Sequence, residues 1–319
     1  GGGSPLLWQH LFWFLAHPEV YVLILPAMGV VCEILANNSR KPIWNHKTMI
    51  YSLIFLGFMS FLVWAHHMFQ TGMGQSMSTF FQITTMIISV PSVVILSGLF
   101  ITLWGGKLRF NTPMLFALAF LPMFGIGGLT GLPLGLAPSD IPLHDTYYVI
   151  GHFHYVVAPG TIFAIFAGIY FWFPKVTGKM LNEKLGKIHF WFSLVFMNGI
   201  FFPMFLQGIA GVSRRLADGG ASYAHAQHVL HYNEFMSMSA WLLGLAQIPF
   251  IINMIMTLIK KKDENVDPNP WKATTIEWTD TTSPPLGHGN FETIPCVYRG
   301  PYEYSVPGED EDFIPQSKK

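Results

Sequence analysis

With 319 residues, 51% of them hydrophobic and only 11% charged, the chain carries less than half the roughly 25% of charged residues found in an average soluble domain, which excludes an ordinary soluble globule. The formal net charge is zero, so nothing in the charge balance points to nucleic acid. Two cysteines, Cys32 and Cys296, are too far apart in sequence to signal a disulfide framework or a thiolate metal site.

The chain opens on Gly1-Gly2-Gly3-Ser4-Pro5, loop-like and without an initiator Met or a signal peptide. This start reads as a fragment, or as the second part of a longer polypeptide. A bilayer core needs about 20 apolar residues per helix. Seven stretches qualify: 10–35, 48–70, 78–104, 113–136, 144–173, 187–212 and 234–259. The expected fold is therefore all-α, a polytopic transmembrane bundle of about seven spans over residues 1–262. A polar, Pro- and Gly-rich tail, 263–319, is expected to lie extended over one face.

The first span carries the run His17-Pro18-Glu19-Val20-Tyr21. Glu19 is a carboxyl in a span without Lys or Arg, suited to taking up and releasing protons. Tyr21 lies four residues after His17, on the same helix face. The second span holds His66 and His67. On a continuous helix they point about 100° apart, which lets both converge on one metal with His17 as third ligand. Three neutral imidazoles and an open position suit copper. Interfacial histidines at a helix end are the plainer alternative.

The third span carries Ser78, Gln82, Thr85, Ser89 and Ser92 as one helical stripe, either helix–helix glue or a proton path. In the fourth, Gly125-Ile126-Gly127-Gly128 allows close helix approach. The fifth begins at His144-Asp145, with Asp140 just before, a grouping able to bind magnesium or simply to start a helix. Further along it, His152 and His154 stand about 200° apart. They cannot share a metal, but each can hold a haem iron on its own side of the helix. Arg214-Arg215 follows the sixth span, with the chemistry to pair carboxylates such as haem propionates.

Lys and Arg concentrate in alternate loops: Arg40, Lys41 and Lys47; Lys107 and Arg109; Lys175, Lys179, Lys184 and Lys187; Lys260, Lys261 and Lys262. By the positive-inside rule these loops and the tail face the cytoplasm. Arg214-Arg215 breaks the pattern and calls for an anionic partner on the outer side.

His17-Pro18-Glu19-Val20-Tyr21, Trp64-Ala65-His66-His67-Met68-Phe69, His144-Asp145-Thr146-Tyr147-Tyr148 through His152-Phe153-His154-Tyr155, and the tail run Arg299-Gly300-Pro301-Tyr302-Glu303-Tyr304 together resemble subunit I of haem–copper cytochrome oxidase. The likeness covers essentially the whole chain, as the family's helices six to twelve. It implies that His17, His66 and His67 bind copper B. His152 would ligate the high-spin haem and His154 the low-spin haem, both A-type. Tyr21 would be covalently joined to His17. Glu19 would branch protons, and Trp13 would line the gap beside it. His144 and Asp145 would hold magnesium with a neighbouring subunit, and Arg214 and Arg215 would bind propionates. The second ligand of the low-spin haem belongs to the family's first half, which must come from elsewhere.

One departure stands out. Where the family's A-type pattern has a Lys three residues after Ser92, this chain has Ile95. The stripe Ser78–Ser92 is then expected to carry protons to Tyr21 with bound waters. The resemblance implies a terminal oxidase that reduces O2 to water and pumps protons. Its partners would be a dicopper subunit II, subunit III and cytochrome c; a quinol donor is the alternative. A nitric oxide reductase and a non-catalytic membrane subunit are the rival readings. Ile95, Cys32 and Glu33 do not look mitochondrial, so the expected location is a bacterial inner membrane.

Overall fold

Apolar runs bounded by capping residues become helices in this chain, and the caps set where each one starts and stops. The computed structural model describes residues 2–261, 266–287, 291, 293–304, 308 and 312–319. Lys262 and Asp263, at the expected boundary between bundle and tail, lie outside the described residues. Helix α1, Pro5–Ser39, begins where the Ser4 hydroxyl accepts from Leu7 N, with Pro5 in its first turn. It ends at Arg40, whose φ is 56°. Its last carbonyls accept from Lys107 N, 2.8 Å from Ser39 O, and from Arg109 N, 2.9 Å from Asn38 O, which satisfies groups a helix end would otherwise leave bare.

Then follow α2 (His46–Met59), α3 (Gln75–Leu103), α4 (Thr112–Leu134), the short α5 (Ala137–Leu143), α6 (Tyr147–Val156), α7 (Phe163–Thr177), α8 (Glu183–Ile209), α9 (His231–Ala246), α10 (Ile248–Ile259) and, in the tail, the single turn α11 (Ile276–Thr279). Among the described residues there is no strand, only an isolated bridge between Thr146 and Ser213. Six helical stretches are long and apolar enough to cross a membrane: α1, α3, α4, α6 through α7, α8, and α9 through α10.

The second expected span departs from expectation. The apolar helix there runs only from His46 to Leu62, its last turn, Ser60–Leu62, already tightened, and the chain continues as a second tight turn at Trp64–Met68. Val63, at φ −127° and ψ −3°, leaves the helical conformation between them. A three-residue turn advances about 120° per residue. Ala65 and Met68, three apart, therefore share a face, and both are fully buried beside Phe81 of α3. His66 and His67 are left on the remaining faces.

Between α6 and α7 the helix widens to a π-turn over Val157–Ile162. Pro159 has no N–H to donate and its ring crowds the preceding turn, and such widenings frequently mark functional sites. The core lies between α1, α4 and α7, around Met28, Val31, Ile34, Leu35, Phe116, Phe120, Phe163 and Phe171.

Two lysines of the basic loops cap helix ends. Lys41 donates to Ile101 O and Trp104 O at the end of α3, and Lys179 to Leu258 O and Lys260 O at the end of α10. The tail packs onto these loops. Arg40 donates to both Asp312 carboxylate oxygens at 3.2 Å and lies 3.7 Å over the Tyr304 ring. Trp271 donates to Phe171 O, Tyr304 to Asn37 and Tyr302 to Glu33.

A Cβ at Gly208 would overlap the Tyr148 backbone, 2.6 Å from its Cα, so Gly208→Ala should part α8 from α6 and cost about 1–3 kcal/mol; an unchanged melting temperature would contradict the close approach. The hydrogen bond from Arg40 holds the Asp312 carboxyl below its ordinary value of 3.8. Its contribution to tail docking is present above that value and is lost as pH falls through the lower folded one. Asp312→Asn should therefore raise amide exchange over residues 312–316 at neutral pH, where the native tail stays protected. Equal exchange in the two proteins would count against the clamp.

Candidate metal centre

Three imidazoles from two segments meet where α1 crosses the tight turn after α2. One ring nitrogen from each of His17, His66 and His67 lies within 4.8 Å of the other two, and this is the one such cluster of three ligating side chains among the described residues. His17 Nδ1 and His67 Nε2 are 3.1 Å apart. Ring centroids are 4.3 Å apart for His66 and His67, 4.5 Å for His17 and His66 and 5.3 Å for His17 and His67. Trp13, one turn before His17, stacks on His67 at 3.7 Å and 8°. His66 Nδ1 meets the Thr85 hydroxyl of α3 at 3.0 Å.

The donor set fits a transition-metal ion. Imidazole nitrogens bound at about 2.0–2.1 Å to one ion stand about 3 Å from each other, as those of His17 and His67 do. Three neutral nitrogens suit copper or zinc over magnesium or calcium. His17 Nε2 is buried without a hydrogen-bond partner among the described residues, and the Tyr21 ring lies beside it, 4.8 Å from the His17 ring. Glu19 stays outside the cluster. It is exposed on a flank of α1 that also presents Leu15, Val22 and Leu23, because the packed face of this half of α1 is the one bearing His17 and Pro18.

His152 and His154 of α6 face different helices. His152 Nδ1 bonds Gly127 O of α4 at 2.8 Å and lies 3.3 Å from the Thr130 hydroxyl. His154 stacks on Phe201 of α8 at 4.2 Å, and its Nδ1 bonds Ile150 O at 2.9 Å. With Nδ1–H donating to a carbonyl, each ring keeps Nε2 as its free acceptor.

The residues of the loops before α6 and after α8 pair with each other. Arg214 donates to the Asp145 carboxylate at 2.7 Å, and Arg214 N to Asp145 O at 2.8 Å. His144 Nδ1 is 3.4 Å from Asp140 Oδ2, and Arg215 is exposed. On α3, Ser89 and Ser92 donate to Met86 O and Ile88 O of their own helix, while Gln82 accepts from Ala137 N. The stripe is thus not a continuous hydrogen-bonded chain, and Ile95 is buried beyond it.

The glycine run of α4 already marks Gly127 as a point of close helix approach, but sequence reasoning missed the support that Gly131 gives His152. A Cβ at Gly131 would stand 2.7 Å from His152 Cε1, and one at Gly127 would stand 3.0 Å from Val156 N. The signal was present as a four-residue glycine spacing, Gly127, Gly131 and Gly135, which marks a helix face open to close approach.

Residues 1–242 match the family described as "Cytochrome C and Quinol oxidase polypeptide I". The chain is 45% identical over 319 residues to "Alternative cytochrome c oxidase subunit 1" of Bradyrhizobium diazoefficiens, covering all of this chain (100%) and 54% of that protein. It is 44% identical over 317 residues to "Cytochrome c oxidase subunit 1" of Synechocystis sp., covering 98% of this chain and 56% of the relative. The chain therefore spans about half the length of the curated relatives it matches. The fold is similar to that in a solved structure described as a heme-copper terminal oxidase dimer, with a TM-score of 0.73 at 22% identity over 82% of this chain and 51% of that one.

Proposed function

Because the chain belongs to the cytochrome c and quinol oxidase polypeptide I family, we propose that it forms the part of a terminal oxidase's catalytic subunit that holds copper B and ligates two haem irons. The observation that carries this reading is the convergence of His17, His66 and His67. When bound, copper and the high-spin haem supply electrons for reducing O2 to water. In this reading His17, His66 and His67 hold copper B, while His152 and His154 present Nε2 to the high-spin and low-spin irons, both in A-type haems.

Tyr21 donates a proton beside His17. A bond from a Tyr21 ring carbon to His17 Nε2 would account for that buried, unpartnered nitrogen; forming it removes two hydrogens, with O2 as the oxidant. Trp13 keeps the His67 ring in orientation by stacking. Glu19, on the exposed flank, exchanges protons with groups supplied by further helices that pack there and carry the second ligand of the low-spin haem. Arg214 and Arg215 bind propionates, and His144 and Asp145 hold magnesium at a subunit boundary. Ser89 and Ser92 relay protons toward Tyr21 through water. The partners are a dicopper subunit II, subunit III and cytochrome c. The assembly pumps protons across a bacterial inner membrane.

Reduced-minus-oxidised spectra and metal analysis of the whole oxidase test this reading. His154→Ala should remove the low-spin haem signal and His152→Ala the high-spin one, with copper present in the parent enzyme. Iron in place of copper would indicate a nitric oxide reductase, and absence of haem a non-catalytic subunit. A second expectation concerns the missing lysine: Ser92→Val should slow reduction of the binuclear centre, and unchanged reduction kinetics would remove Ser92 from the proton route.

A further inference from the structure

We propose that α1, α2 and α3 form a proton-tight seal between the metal centre and the face of the basic loops, so that every proton reaching Tyr21 enters by the flank of α1 that carries Glu19. This rests on reading the three histidines as part of an oxidase's oxygen-reducing site. The hydroxyl stripe of α3 stops short of the basic loops. Ser92 donates to Ile88 O, and the next hydroxyl on the packed side is Thr102, which donates to Gly98 O and accepts from Trp44 N. From Ser92 to Thr102 the helix rises about 15 Å. On its packed side that length presents Ile95, Gly98 and Leu99, all buried, while Ser97 is exposed on the other side.

The two neighbouring helices close the same stretch. Between Tyr21 and Glu33, α1 holds no hydroxyl, amide or acid side chain, and its Met28, Val31 and Cys32 share one packed cluster with Ile95 and Leu99. Met49 of α2 belongs to that cluster and lies directly on α3: a Cβ at Gly98 would stand 2.7 Å from its Sδ. Hydrogen-bonded groups stand roughly 3 Å apart, so a proton crossing this length needs about five such steps. Ser52 and Ser60 of α2 are isolated hydroxyls, the second donating to Gly57 O of its own helix. The Cys32 thiol is a weak donor and acceptor, and a close-packed apolar interior penalises a bare charge. Glu19 stands differently. It is exposed, two residues from Tyr21 on the same helix, and so lies level with the site rather than behind the cluster. Ser92 is on the site side of the seal, so a relay through it is fed from the same flank.

The test uses the whole oxidase and follows two reactions. One is anaerobic reduction of the binuclear centre by the electron donor, in which incoming electrons are balanced by protons; the other is the reaction of the reduced enzyme with O2. Glu19→Gln should slow both by about 100-fold with haem and copper content unchanged, and Glu19→Asp should restore both. Glu33→Gln, which keeps an acceptor for Tyr302, and Ser52→Ala should react at the parent rate, because neither lies on a conducting route. Reduction at the parent rate in Glu19→Gln, with only the O2 reaction slowed, would overturn the proposal by revealing a second inlet. So would slowed reduction in Glu33→Gln or Ser52→Ala, and both results would leave the haem and copper reading intact. If Glu19→Gln fails to assemble, Glu19→Ala makes the same comparison. A parent oxidase containing no haem or copper would overturn the site reading, and this proposal with it.

Discussion

Three imidazoles held together away from water are the constraint on which the rest of this structure turns. A buried ring nitrogen without a partner costs about 1–3 kcal/mol, and His17 Nε2 has none among the described residues. Binding of a structural zinc ion, by comparison, contributes about 10–16 kcal/mol, far more than the penalty for gathering its ligands. The surroundings of the cluster read as devices for holding rings still. The chain leaves the regular helix after α2, Trp13 covers one of the two consecutive histidines on the tight turn there, and Thr85 reaches the other.

A second set of positions is governed by α6. Its two histidines face α4 and α8 because residues two apart on a helix point to nearly opposite sides. The neighbours make room with glycines rather than by bending away: Gly131 under His152, Gly127 under Val156 and Gly208 under Tyr148. The widened turn at Val157–Ile162 follows directly, with Gly160 near Ile24 of α1. The helical stretch from α6 through α7 is thereby packed against α4, α8 and α1 together, α6 meeting α4 and α8 and the widened turn meeting α1, the helix that carries His17.

Much of this was legible in the sequence, for physical reasons that differ from place to place. Six of the seven expected spans followed from apolar length, and the divergence of His152 and His154 followed from helix geometry. The end of α2 did not. No proline or glycine lies between Ser60 and Phe69, so the apolar run reads straight through, and only burial of Ala65 and Met68 against Phe81 explains the tighter turn. The partner of Arg214 was sought among anions on the outer side. In sequence Asp145 reads as a cation ligand, whereas the bridge between Thr146 and Ser213 brings the two loops together and sets it against Arg214. The bond from His66 to Thr85 was hidden because spacing places a hydroxyl on a face but does not say what it meets there.

X-ray absorption at the copper edge of the whole oxidase tests the central claim most directly. With the contribution of the dicopper subunit II subtracted, the account predicts a shell of three imidazole nitrogens at about 2 Å that falls to two when His67 is replaced by Ala. A copper signal without that shell, or one untouched by the His67→Ala change, would contradict it.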